Sequence, residues 1–185
     1  MGLFNWLGKK EKHPPVRART LVWMHGAAKQ KGVLQLMKKN TNAVVIAWFP
    51  QTQQHWQNYL LQQGRSDTVM IVRQTSALQL VNKTVILLEH YPLAGKESAF
   101  LENLHGDNIY IAIALDDPLF NYFGGDRIAA LLQAMGTNQD ETIEHELVTR
   151  AIHNAQMKLE KRLSMENTAN SMQEWFEKNA RDVKP

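Results

Sequence analysis

The sequence contains no cysteine. Disulfides, thiolate zinc sites and a cysteine nucleophile are therefore excluded, and the composition fits a reducing compartment. The N-terminus carries no apolar run of signal-peptide length, and the longest apolar runs elsewhere are only as long as strands. We therefore expect neither export nor a membrane span. The expected location is the cytoplasm, with the inner membrane surface as the alternative.

The net positive charge lies within the first 20 residues. The formal net charge is +3 over 185 residues, but residues 1–20 hold five Lys and Arg against Glu11, a net of +4 that leaves −1 for the rest. A nucleic-acid binder usually carries a basic face or stripe across its folded domain. Nucleic acid is therefore not expected as the main partner.

The N-terminal segment, residues 1–19, is predicted to be a basic, partly apolar tail. Its apolar residues Leu3, Phe4, Trp6 and Leu7 come before a run of lysines. Such a segment can lie at an anionic membrane surface, and the alternative is a terminus that packs on its own domain. These four residues are the candidate contacts with a membrane or a partner.

From residue 20 to residue 136 the pattern predicts an α/β domain. Apolar runs predict strands at 20–26, 43–49, 68–72, 83–89 and 108–115. Helices are predicted at 27–40, from Pro50 to a terminating Gly64, and after Pro118, where Asp116 and Asp117 are expected to cap that last helix. The alternation of strands and helices predicts a mainly parallel sheet with right-handed crossovers.

Residues 137–185 change character. No proline or glycine interrupts the chain from Ile143 to about Leu163, which predicts a long helix. A shorter helix around Trp175 and Phe176 follows. The apolar face of the long helix must dock on another surface, and it consists of Leu147, Val148, Ala151, Ile152, Ala155 and Leu159.

The sequence AGKES at 94–98 looks like half of a phosphate-binding loop. The complete motif needs a glycine five residues before Gly95 and a hydroxyl residue after Lys96. His90 and Glu97 stand at those positions, so a solvated turn is predicted instead. The histidines show no metal-ligand spacing, and no set of nucleophile and base can be assembled, so no catalytic residue, metal or cofactor is expected.

Two segments resemble SecA, the motor ATPase of bacterial preprotein translocation. IALDDPLFNYFGGDRIAALLQAMG, residues 113–136, is similar to the end of the second nucleotide-binding fold of that family. IEHELVTRAIHNAQMKLEKR, residues 143–162, is similar to the start of its long scaffold helix. Weaker similarity covers 31–64. The resemblance implies a stand-alone, degenerate RecA-like fold followed by a truncated scaffold helix.

The resemblance also implies that the ATPase machinery is lost. The Walker motifs of SecA belong to its first nucleotide-binding fold, for which this chain has no room. ESAFLENLHG, residues 97–106, aligns with the arginine-rich motif of the family and places Ala99, Phe100 and His105 at its arginines. An arginine finger contributes about three to five orders of magnitude in rate. Gly124-Gly125 is accordingly interpreted as a helix turn, not a phosphate cradle, and no ATPase activity is expected.

The expected function is that of a non-catalytic protein-binding or regulatory module linked to preprotein translocation. Its partner would be the translocase motor, a preprotein-handling factor or a second copy. The expected contact surfaces are the apolar face from Leu147 to Leu159 and the pair Trp175 and Phe176. One alternative is a subunit that completes an ATP site in trans through Arg73, Lys96 and Arg127. The other is a membrane-surface adaptor.

Overall fold

The computed structural model describes residues 18–104, 108–122, 142–144 and 146–181, with Glu146 and Leu147 described by their backbone only. The strands are β1 (Arg19–Trp23), β2 (Ala43–Ala47), β3 (Val69–Ile71), β4 (Thr84–Leu87) and β5 (Asn108–Ala114). The helices are α1 (Gly26–Lys39), α2 (Pro50–Gln62), α3 (Ala94–Glu102), α4 (Pro118–Tyr122), α5 (Glu146–Arg162) and α6 (Met172–Asn179). Short 3-10 turns at Val72–Gln74 and Ala77–Leu80 connect β3 to β4.

The five strands form one sheet in the order β1-β5-β4-β2-β3. Its four strand pairs are parallel, which confirms the predicted α/β class. All four residues of β4 are buried, as expected for a strand covered on both faces of a parallel sheet. β1 pairs with β5 along its length, so the first strand belongs to the sheet.

Helices cover both faces of the sheet. One apolar core holds side chains from α1 and α2, among them Val33 and Trp56, packed on the strands. The core on the opposite face includes Ile152 from α5 and Trp175 from α6 together with the sheet residues. The C-terminal helices therefore share a core with the strands.

Backbone groups at both edges of the sheet are hydrogen-bonded within the described residues. At the β1 edge, the backbone N–H of Val22 donates to Ile143 O at 2.9 Å, and Ile143 N donates to Val22 O at 2.8 Å. At the β3 edge, Gln53 Nε2 donates to Val69 O and Val69 N donates to Gln57 Oε1, both at 2.8 Å. Unpaired edge groups are templates for another strand, and these are already paired.

The long C-terminal helix starts later than predicted. Ile143 was expected to begin the long helix, but it forms an antiparallel bridge with Val22 and the helix begins at Glu146. Leu3, Phe4, Trp6 and Leu7 of the predicted tail, and the glycine pair at 124–125, lie outside the described residues. None of the helices that the structure describes is long and apolar enough to cross a membrane.

Candidate functional site

A polar cleft of about 520 Å³ lies at the carboxyl edge of the sheet. Its lining residues follow four of the strands: Gly26 after β1, Thr52 after β2, Glu89 after β4 and Asp117 after β5. β4 and β2 are neighbours, and their onward connections run to opposite sides because β5 and β3 lie in opposite directions. Ligands of open parallel sheets bind at such a switch point.

The rim of the cleft is completed from two helices and a C-terminal segment. Gln30 lies on α1, and Gln51, His55 and Trp56 lie on α2. One wall comes from residues 171–173 at the start of α6. Backbone hydrogen bonding holds that wall in place, because Gln51 N donates to Asn170 O at 2.9 Å.

Glu89 forms part of the cleft floor at the switch point and is only 5% exposed. Its Oε1 accepts from the backbone N–H groups of Trp48 and Phe49 at 3.0 and 3.1 Å, and its Oε2 accepts from Thr52 Oγ1 at 2.8 Å. Phe49 is the N-cap of α2, so the carboxylate caps that helix. Burial raises the pKa of Glu89 to about 7, against the opposing effect of the Thr52 hydrogen bond.

A buried ion pair lies beside Glu89. Lys29 Nζ on α1 donates to Asp117 Oδ2 at 2.8 Å, and the two side chains are 7% and 21% exposed. The same Oδ2 accepts from Ala114 N at 2.9 Å. Both charges act on the pKa of Glu89: Lys29 lowers it and Asp117 raises it. The floor therefore combines two carboxyl groups with one ammonium group.

The two aspartates after β5 do not play the predicted part. They were expected to cap α4 with their side chains. Asp116 instead caps α1, because its Oδ2 accepts from Gly26 N at 3.0 Å, and Asp117 turns towards Ala114 N and Lys29. The start of α4 uses the backbone carbonyl of Asp117, which accepts from Phe120 N at 2.9 Å. The carboxylate reaches α1 because β1 and β5 are adjacent.

The prediction of a solvated turn at 94–98 is wrong, since α3 begins at Ala94. Glu97 is buried and its Oε1 lies 2.8 Å from His90 Nδ1, while Oε2 accepts from Tyr91 N at 2.7 Å. Burial acts to raise the pKa of Glu97, but the charge and hydrogen bond of His90 outweigh it and the net pKa is lowered. The two residues that break the phosphate-loop pattern thus form a buried hydrogen-bonded pair.

Glu166 joins the C-terminal segment to the core. It accepts hydrogen bonds from Tyr91 Oη, from Lys96 Nζ and, at 2.7 Å, from Trp175 Nε1. Lys96, a candidate charge for an ATP site in trans, is therefore paired with Glu166 of the same chain. Arg73, the second candidate, lies exposed in the 3-10 turn after β3, and Arg127 lies outside the described residues.

The residues predicted as contact surfaces are mostly covered by their own chain. Ala151 is exposed, the side chain of Leu147 is not among those described, and the others are buried: Val148, Ile152, Ala155, Leu159, Trp175 and Phe176. The apolar face of α5 packs against the sheet and against α3. The structure thus gives these residues a packing role, and their partner-binding role stays a prediction.

The aligned positions of the arginine-rich motif lie on α3 and beyond it. Ala99 is exposed, and the ring of Phe100 packs edge-on against Trp48 with the centroids 5.4 Å apart. His105 lies outside the described residues. No group of three or more His, Cys, Asp and Glu residues in the described part of the chain is arranged to hold a metal ion.

The fold and the cleft define an α/β protein with a five-stranded parallel sheet and a polar site at its carboxyl edge. A segment of this chain is similar to proteins named "Protein translocase subunit SecA". It is 50% identical over 50 residues to the protein of Acinetobacter baumannii, 52% to that of Methylococcus capsulatus and 50% to that of Acidithiobacillus ferrooxidans. Each match covers 27% of this chain and 6% of the relative. No protein-family model matches the chain. The protein thus contains a SecA-related segment.

Proposed function

We propose that this protein is a non-catalytic, SecA-related module that binds another protein in connection with protein translocation. The observation that carries the proposal is that the chain's own carboxylates occupy the helix N-termini at the carboxyl edge of the sheet. In nucleotide-binding α/β folds those N–H groups hold phosphate, because the helix end is partially positive and its donors are free.

At the start of three helices that follow strands, a backbone N–H donates to a carboxylate of the same chain. Asp116 accepts from Gly26 N at the start of α1, Glu89 accepts from Phe49 N at the N-cap of α2, and Glu160 Oε2 accepts from Gly95 N in the first turn of α3 at 3.1 Å. An incoming phosphate would meet the carboxylates of Asp116 and Glu160, and above about pH 7 that of Glu89, in place of free donors. Repulsion between like charges in a partly buried site therefore opposes nucleotide binding.

Alanine and phenylalanine at the aligned arginine positions support the same proposal. Neither Ala99 nor Phe100 supplies the fixed positive charge on which phosphoryl transfer depends. Lys96 is engaged by Glu166, which counts against the rival role of completing an ATP site in trans.

The link to translocation rests on the SecA-related segment. The proposed partner is the translocase motor of the same cell, with a second copy of the chain as the competing outcome, and the proposed location is the cytoplasm or the inner membrane surface. We expect the full chain to bind the purified motor in isothermal titration calorimetry and to give no heat with Mg-ATP or Mg-ADP. Saturable nucleotide heat with the protein alone, or no heat with the motor, would contradict the proposal.

A further inference from the structure

The cleft at the carboxyl edge has the chemistry of a receptor for positive charge. Among the described residues, its floor carries Glu89 and Asp117 together with the ammonium group of Lys29. Asp116 and Glu89 offset the partial positive charge of the α1 and α2 helix ends. Above about pH 7, where Glu89 is ionised, the carboxylates around the floor exceed the ammonium group, and an anionic ligand is disfavoured.

We propose that this cleft binds the ammonium or guanidinium group of a lysine or arginine side chain from a partner polypeptide. The inference rests on the proposed function, which supplies the polypeptide.

Acceptor atoms remain open on the floor. Asp117 Oδ2 is used by Lys29 and Ala114, while Asp117 Oδ1 has no hydrogen-bond partner among the described residues. Glu89 Oε2 accepts one hydrogen bond, from Thr52, although a carboxylate oxygen accepts two. An ammonium group brings three donors and a guanidinium group five. These free acceptors thus match a ligand group that donates hydrogen bonds and accepts none.

The walls suit the remainder of a basic residue. Trp56 and Met172 border the cleft with the small exposed parts of their side chains, 3% and 4%, and these parts are the apolar contacts for the methylene stem of lysine or arginine. Gln30, Gln51 and Gln173 line it as well, and each amide side chain both donates and accepts, as a peptide group does. A volume of about 520 Å³ exceeds one side chain and leaves room for flanking main chain. A polypeptide is therefore favoured over a small free amine.

Binding of a cation is coupled to the proton of Glu89. The charged and titratable groups that face Glu89 across the cleft are Lys29 from α1, His55 from α2 and Asp117 after β5. Burial raises the pKa of Glu89 to about 7, and a cation beside the carboxylate favours its ionised form. Cation binding should thus release a proton near neutral pH, and affinity should rise between about pH 6 and pH 8.

The test uses the full chain and blocked amino acids as probes. Nα-acetyl-lysine N-methylamide and its arginine counterpart are titrated while the NMR signals of Trp56 and His55 are followed. The norleucine analogue is the control of equal length without charge. We expect saturable shifts with the basic probes only, a dissociation constant that falls as pH rises, and about a tenfold weakening in Glu89→Gln. Exposed Glu102→Gln on α3 is the matched control.

Asp117→Asn is the second variant, and it should also weaken binding of the basic probes. Because this substitution leaves Lys29 without its carboxylate and can impair folding, Glu89→Gln, which keeps the ion pair, decides the test in that case. Equal shifts with norleucine, no shift with basic probes, or unchanged affinity in Glu89→Gln would overturn the inference. Motor binding that Glu89→Gln leaves unchanged would reject this cleft as the contact and leave the proposed function standing. Basic probes that bind while no protein partner does would reject the proposed function and leave the ligand class of the cleft supported.

Discussion

His90 Nδ1 lies 2.8 Å from Glu97 Oε1 in the loop that leads from β4 into α3, and both side chains are buried. A phosphate-binding loop carries glycine and a hydroxyl residue at these positions. The N–H of Tyr91 adds a further hydrogen bond, since it donates to Glu97 Oε2 at 2.7 Å. The buried Glu97 carboxyl thus holds the connection between β4 and α3, where a phosphate-binding loop would leave its N–H groups open.

Removal of Glu97 tests this pair. We expect Glu97→Ala to lower the free energy of unfolding by about 2–5 kcal/mol, because it leaves two groups, the buried His90 ring and the Tyr91 N–H, without their acceptor. The measurement is urea unfolding at pH 7. Glu102→Ala, on the exposed face of the same helix, should change the free energy by less than about 0.5 kcal/mol. A similarly small change in Glu97→Ala would contradict the packing role.

Glu89 should make stability depend on pH. Its pKa is raised from an ordinary value of 4.5 to about 7 by burial, so the folded protein binds the proton more tightly than the unfolded chain. The contribution of Glu89 is then favourable near pH 5 and is lost as pH rises towards pH 7 and above.

Replacement of Glu89 by glutamine isolates that contribution. Between pH 5 and pH 8, the native protein should lose about 2–3 kcal/mol of unfolding free energy relative to Glu89→Gln. Urea unfolding at several pH values measures it. Glutamine keeps an acceptor for the Trp48 and Phe49 N–H groups, so the cap survives. A difference that stays constant with pH would show that Glu89 is not protonated in this range.

Gly32 on α1 marks a close approach between that helix and β1. A Cβ at this position would lie 2.3 Å from Cζ2 of the buried Trp23 ring. We expect Gly32→Ala to destabilise the protein by about 1–3 kcal/mol through overpacking, despite the better helix propensity of alanine. Gly26→Ala is the control, because its Cβ would meet the nearest atom, on Asp116, at 3.8 Å. Thermal unfolding compares the two, and equal midpoints would contradict the close contact.

Glu166 should anchor α6. In Glu166→Ala the Trp175 N–H, which lies in the core, and the Tyr91 hydroxyl lose their acceptor, at a cost of about 1–3 kcal/mol for a buried donor. Amide hydrogen exchange in 172–179 should accelerate more than exchange in β4. The neighbouring Met165→Ala, where the side chain is 75% exposed, should leave both rates unchanged. Equal protection of α6 in the two variants would exclude the anchoring role.

Much of the fold could be predicted because apolar runs such as 43–49 and 108–115 are long enough for buried strands and regular enough in spacing. The strand order could not, since nothing local says that β1 lies beside β5. The capping of α1 by Asp116 depends on that adjacency and joins residues 90 positions apart.

The chemistry of the site was harder to predict than its position. The sequence places Glu89 at the end of the predicted strand 83–89 and predicts no site there, although the carboxyl end of a parallel strand is where ligands of such sheets bind. His90 and Glu97 were recognised as departures from a motif, but their pairing depends on the turn between them. The glutamines that close the β3 edge, Gln53 and Gln57, gave no signal beyond their spacing on one helix face.

Calorimetry on the full chain with Mg-ATP, first alone and then mixed with the translocase motor of the same cell, distinguishes a non-catalytic binding module from a subunit that completes an ATP site. A non-catalytic binding module predicts no nucleotide heat from the protein alone, protein–protein heat with the motor, and a nucleotide heat in the mixture no larger than that of the motor by itself. Nucleotide heat that appears only when the two proteins are combined would contradict the account, because it would mean that this chain completes an ATP site.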